Sequence, residues 1–242
     1  MINMEFPDTY FEVCEKANDC RRRWNINEND PIDIFSVVLN KVKNVTIIFL
    51  DMDGYISGSS YKTKGQNIIF INSNHPLGRQ RFTLAHELYH LLYEDKFIKC
   101  DMTSSHEIEE MANQFASCLL MSNGALLNYE RENNIEKWDL DAIISTEQFF
   151  QISHKAMLRR LLMLDKITDK EYDDLLPGII HNARQRGYSD KLYRPYVDND
   201  NFIMGNYIKL INQTYEDNLI SEGKRDELLI NSFNEDLINY DG

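Results

Sequence analysis

One five-residue run constrains this chain more than any other: His86-Glu87-Leu88-Tyr89-His90. Histidines four positions apart stand side by side only on an α-helix, one turn apart on one face. On a strand the same spacing would separate them by about 13 Å. The flanks Phe82-Thr83-Leu84-Ala85 and Leu88, Leu91 and Leu92 supply an apolar stripe that can bury such a helix. Two neutral imidazoles so placed can bind one zinc ion, and Glu87 beside the first can act on water as a general base.

A catalytic zinc ion keeps three protein ligands and one open position, so a third ligand is needed. The metzincin continuation requires glycine at position 93 and histidine at 96. The chain has Tyr93 and Lys96, which excludes it. The other common solution is an acid on the next helix. Glu109, nineteen residues after His90, and its neighbour Glu110 offer one. Glu109, Ala112, Asn113 and Ala116 share a helical face, and the small alanines permit close helix–helix approach. Asn113 is placed to hold the ring of His86 or His90 in orientation. His106 reads as a surface histidine in the first turn. Tyr188 and Tyr193 are the candidate donors opposite the base, a position peptide hydrolysis requires.

Around this motif the chain reads as α+β. Helices are expected at 8–23 and 31–39, and strands at 45–50, 55–60 and 67–72. The motif helix is expected at 79–94, and a second long helix at 105–121 with Ser105 as its N-cap. A helix pair over 140–165, a helix at 169–176, a break at Pro177-Gly178, and helical stretches at 206–219 and 221–240 complete the reading. Three regions result: a core over 1–135, a helix-turn-helix-like segment over 136–176, and a helical region over 177–242 that selects the partner or completes the fold. The strand at 67–72 is expected at the sheet edge, where Ile68, Phe70 and Asn72 would line substrate by β-addition.

Composition removes several function classes. With 39 acidic and 26 basic residues the net charge is -13, which disfavours broad contact with a phosphate backbone. Lys155, Arg159 and Arg160 in the middle helices could touch phosphate, but the acidic balance favours a bundle packed on the core. Arg21-Arg22-Arg23 reads as a solvated helix end. No run is long and apolar enough to span a membrane, and the N-terminus lacks signal-peptide features, so a cytoplasmic protein is expected. Cys14, Cys20, Cys100 and Cys118 form no C-x-x-C pair and are expected as reduced thiols.

The spaced blocks Phe82-Thr83-Leu84-Ala85-His86-Glu87-Leu88-Tyr89-His90, Glu109-x-x-Ala112-Asn113-x-Phe115-Ala116 and Leu119-Leu120-Met121 resemble the ImmA/IrrE metallopeptidases. Ile71-Asn72 and Arg79-Gln80-Arg81 extend the likeness, which covers roughly residues 30–165. The resemblance implies a thermolysin-like, gluzincin-type zinc core with a small mixed sheet. It implies His86, His90 and Glu109 as zinc ligands and Glu87 as the base. It also implies cleavage of a helix-turn-helix repressor from a phage or integrative element. The three-residue spacing to Ala112 favours Glu109 over Glu110. The chain departs from the family pattern at Tyr89, usually glycine, and at Met111, often a second glutamate. A competing reading keeps the metal site but acts by association, as in a toxin–antitoxin-like pair.

Overall fold

The computed structural model describes residues 8–94, 102–196 and 201–238. Helices α1 (Asp8–Trp24) and α2 (Ile34–Lys41) precede strands β1 (Val45–Leu50), β2 (Gly58–Lys62) and β3 (Asn67–Asn72). A helical run follows: α3 (Leu77–Tyr93), α4 (Met102–Leu120), α5 (Asn123–Glu132), α6 (Leu140–Phe150), α7 (His154–Met163) and α8 (Asp169–Leu175). After α9 (Ile179–Gln185) and a 3-10 turn at Lys191–Tyr193 come β4 (Phe202–Gly205), α10 (Asn206–Glu216) and α11 (Glu222–Asn231). The chain is thus a mixed α+β protein with one small sheet and many helices. No helix among the described residues is long and apolar enough to cross a membrane.

The local signals mostly act where the sequence places them. Ser122, Asp139, Ser153, Thr168 and Ser221 each accept a hydrogen bond from a backbone N–H in the first turn of a helix. At Thr168 the cap is reciprocal, because the Glu171 carboxylate returns to the Thr168 backbone N–H. Ser105 is a correction: α4 starts earlier, at Met102, so Ser105 lies inside the helix. Helix α5 was not anticipated, although its Ser122 cap was a readable signal.

The sheet runs β2-β3-β1-β4. β1 and β3 are parallel, while β2 pairs antiparallel with β3 and β4 antiparallel with β1. Ile47 and Phe49 stand beside Ile69 and Ile71 in this register. All four are fully buried in the same core as Leu84, Leu88, Ala112 and Phe115. This order corrects the edge reading of residues 67–72. β3 is interior, with Ile68 and Phe70 half-buried between two partner strands. Asn72 is buried and donates to the carbonyls of Met52, Asp53 and Ile56 at 3.2, 3.1 and 2.7 Å, so it holds a turn. The free edge beside α3 belongs to β2.

β4 is a second correction, because the region after position 177 was expected to be helical throughout. Four residues are too short to show alternation. Gly205 ends the strand at φ 101°, and a Cβ there would lie 2.4 Å from the Val45 carbonyl oxygen. The strand therefore closes onto β1 only with glycine at this point. The sheet also crosses the expected boundary at 177.

Two further expectations fail. Cys14 of α1 and Cys118 of α4 form a disulfide, with Cα atoms 5.4 Å apart. A separation of 104 residues hides this pairing in the sequence, and it exists because α1 packs along α4. Cys20 is free and buried, and Cys100 lies outside the described residues. Arg21 is not solvated but fully buried. Its guanidinium donates to the carbonyls of Leu119 at 2.6 Å, Asn27 at 2.7 Å and Asp30. Those carbonyls belong to a helix end and a loop, and they offset part of the cost of burying a cation whose Nε has no partner.

Helices α6 and α7 are joined through a buried polar triad. Glu147 Oε1 lies 2.6 Å from His154 Nδ1, and its Oε2 accepts from the Tyr193 hydroxyl at 2.8 Å. Burial pushes the Glu147 carboxyl up. Burial alone would lower the His154 imidazole, but the Glu147 carboxylate and the Leu175 carbonyl outweigh it and raise that group as well. Both shifts have one sign, so the folded protein keeps a proton that the unfolded chain releases. The His154 contribution is fully present below the ordinary imidazole value of about 6.5 and is lost as pH rises through the folded value. We expect the Tm to fall as pH is raised from about 6.5 to 9, and the Glu147→Gln/His154→Gln double variant to lack that slope. Equal slopes in thermal scans of the two proteins would refute this.

Candidate metal centre

Helix α3 places His86 and His90 one turn apart, and α4 packs across it. The imidazoles present their Nε2 atoms to each other at 3.0 Å. Glu109 from α4 completes the cluster, with Oε2 3.2 Å from His86 Nε2 and Oε1 3.6 Å from His90 Nε2. Donors about 2.0–2.2 Å from one tetrahedral zinc ion stand about 3.3 Å from each other. The three separations bracket that edge, and His86, His90 and Glu109 together can hold one metal ion. Glu110 points elsewhere: its carboxylate lies 3.8 Å from His106 Nδ1, on the exposed side of α4.

The rings are oriented from behind. His86 Nδ1 lies 3.0 Å from Asn113 Oδ1, and His90 Nδ1 lies 2.7 Å from Glu94 Oε1. With an acceptor on each Nδ1, the proton belongs there and the Nε2 lone pairs converge. Two such lone pairs 3.0 Å apart lack a proton between them, and a cation satisfies both. Burial and the neighbouring His90 lower the His86 imidazole, which keeps it in the neutral, ligating form. Asn113 was anticipated in this role. Glu94 was not, although its i+4 spacing from His90 was a readable signal.

Glu87 is buried at 7% exposure and aims into the same space. Burial, with Glu109 and Glu94 nearby, pushes its carboxyl up, against a hydrogen bond from Ser60 and the proximity of His90. A bound dication would draw it back toward the ionised form. Ser60 lies on β2, so the edge strand touches the base directly. Around the cluster lies a cleft of about 880 Å³. One wall is the 55–60 segment of turn and edge strand; the opposite wall includes Ser153, Lys155, Arg159 and Arg160 of the α7 region.

Other predicted residues lie elsewhere. Ile68, Phe70 and Asn72 do not line the cleft. Tyr193 is committed to Glu147, and neither it nor Tyr188 lines the cleft. Tyr89 does not line the cleft, and its ring stands edge-on to the His90 ring at 6.1 Å. Its ring packs at 5.6 Å from Phe115 and 5.4 Å from Tyr93, and its hydroxyl meets Met111 Sδ at 3.5 Å. The two departures from the family pattern therefore touch each other.

A half-buried histidine pair joined by an acid from a neighbouring helix is a donor set of the kind that holds one metal ion and leaves a coordination position open. A family model described as Peptidase_M78, the IrrE N-terminal-like domain, matches residues 40–162, more than half of the chain. The match runs from the end of α2 into α7 and contains the whole cluster. The chain belongs to this family, whose motifs the sequence resembles, and the family implies a metal and a metallopeptidase chemistry. None of the curated proteins matches the chain.

The contact between β2 and α3 leaves no spare volume. A Cβ at Gly58 would lie 2.5 Å from Thr83 Cγ2, 2.6 Å from the Phe70 carbonyl oxygen and 3.5 Å from Glu87 Oε1. We expect Gly58→Ala to push the edge strand off the helix and destabilise the fold by about 1–3 kcal/mol in chemical denaturation. Unchanged stability would show that β2 is not seated against α3 in this way.

Proposed function

We propose that this protein is a zinc-dependent endopeptidase with a thermolysin-like, gluzincin-type core that cuts one specific protein substrate. The observation that carries the reading is the convergence of His86 Nε2, His90 Nε2 and the Glu109 carboxylate, with Glu87 beside them. The family match supports it independently. A helix-turn-helix repressor of a phage or mobile element is the substrate that the family resemblance favours, and cleavage would occur in the cytoplasm, where such repressors act. Residues 136–176 would serve as a helical support of the cleft, and 177–242 would help select the partner.

His86, His90 and Glu109 would hold the ion, with Asn113 and Glu94 fixing the two rings. When bound, zinc polarises the scissile carbonyl and lowers the pKa of water. Glu87 takes a proton from the attacking water and delivers it to the leaving amine nitrogen. Its burial suits this work, because a carboxyl pushed up is a better proton acceptor than an exposed one. The substrate chain would add to the free edge of β2, and Ser57, Gly58 and Ser59 would face it across the cleft.

The test is co-expression with a genetically neighbouring repressor. Glu87→Gln should keep one zinc per chain and lose cleavage by at least about a hundredfold. Glu109→Gln should lose stoichiometric zinc while Glu110→Gln retains it, as read by metal analysis after dialysis. A fully active Glu87→Gln protein would sink the mechanism, and the reverse zinc result would move the ligand to Glu110.

A further inference from the structure

The cleft beside the metal cluster is electrostatically divided. Glu87, Glu94 and Glu109 gather at the metal end. The remaining lining holds four cations: Arg79 from α3, and Lys155, Arg159 and Arg160 from α7. Among the described residues none of these four has a carboxylate partner. In a chain with 39 acids and 26 bases, acidic partners are not scarce. Arg186, Arg194 and Arg225 each have one, and Arg22 has three.

Arg160 is the informative member. It is 2% exposed, and its guanidinium donates only to neutral acceptors. These are Ser117 Oγ and Asn123 Oδ1, each at 2.6 Å, the Met121 carbonyl at 3.3 Å, and the disulfide sulfur of Cys118 at 3.7 Å. Its Nε has no partner. A cation buried without a counter-charge is costly, and an anion brought to it recovers part of that cost. Arg159, the residue before Arg160, and Lys155, one turn before Arg159, are exposed on the same helix, so an arriving carboxylate would meet two exposed cations beside the buried one.

We propose that this end of the cleft is a specificity subsite for an acidic side chain, Asp or Glu, of the peptide substrate, held by Lys155 and Arg159 over Arg160 with Arg79 opposite. The inference rests on the peptidase reading above. Duplex DNA is the less suitable occupant. The charges line a cleft rather than an open face, one of them is buried, and the net charge of -13 repels an extended phosphate backbone.

The experiment uses the full-length, zinc-loaded protein and a synthetic peptide library balanced in side chains. Cleavage by the wild type is read by mass spectrometry, and retention is read on immobilised Glu87→Gln protein. The charge-reversed variant Lys155→Glu/Arg159→Glu is run in parallel after its zinc content and Tm are matched to wild type. Both positions are exposed, so the variant tests charge rather than core packing. The expected result is enrichment of Asp or Glu at one fixed distance from the cut. The variant should lose that preference by at least about tenfold in kcat/KM, or invert it toward Lys and Arg. Cutting without acidic enrichment, or enrichment that survives charge reversal, overturns the subsite and leaves the peptidase reading standing. Acid-selective retention without any cutting supports the subsite and sinks the peptidase reading. Neither cutting nor retention overturns both. Retention of duplex DNA in place of acidic peptides, lost in the same variant, also overturns the proposal.

Discussion

Three donor atoms must meet within a few ångströms, yet they arrive on two helices that are separate in the chain. The packing of α3 against α4 is therefore the contact on which the rest of the molecule depends. Ala112 and Ala116 keep α4 thin where it crosses α3, and both are fully buried. Leu84 and Leu88 fill the other side of α3 and press it onto Ile47, Phe49, Ile69 and Ile71 of the sheet. The histidine face is thus the only side of α3 left for chemistry. The same packing sets Glu87 against the edge strand, because β2 lies directly beside the helix.

Long basic side chains hold the periphery to this pair. Arg21 ties the end of α1 to the last turn of α4. Arg81 reaches from α3 to the Gln151 carbonyl at 3.0 Å and to the Ile32 carbonyl, so one guanidinium joins α3 to the α6–α7 turn and to the segment before α2. Gln80 donates to the carbonyls of Asn72 and Ser73 and accepts from the Tyr196 backbone. The Arg79-Gln80-Arg81 block thus contributes two anchors and one cleft cation. In each anchor a side chain reaches carbonyls that no helix or sheet ladder satisfies, which is how irregular backbone can be buried without orphaned polar groups.

What the sequence disclosed and what it concealed divide along a physical line. Interactions set by local spacing were legible: the histidine pair, Glu109 and Asn113 on one face, and the strand runs at 45–50 and 67–72. Interactions decided by distant segments were not. Strand order in a sheet does not follow from strand sequence, so β3 read as an edge although it is interior. The burial of Arg21 depends on carbonyls of Asn27, Asp30 and Leu119, the last of them 98 residues away. The Cys14–Cys118 pairing depends on the meeting of α1 and α4. β4 was concealed for a different reason, since four residues ending in glycine carry too little periodicity to register.

Tyr89 and Met111 carry a consequence for how the centre is loaded. The aromatic group of Tyr89, Tyr93 and Phe115 spans α3 and α4 behind the His86–His90–Glu109 cluster, and Met111 closes it through the tyrosine hydroxyl. The spacing of the two helices is therefore fixed by a hydrocarbon wedge that owes nothing to coordination. Many small zinc domains spend their metal affinity on ordering the chain. Here the wedge and the surrounding core hold the two helices together, so an arriving metal ion would meet donors already gathered and would not have to order the chain.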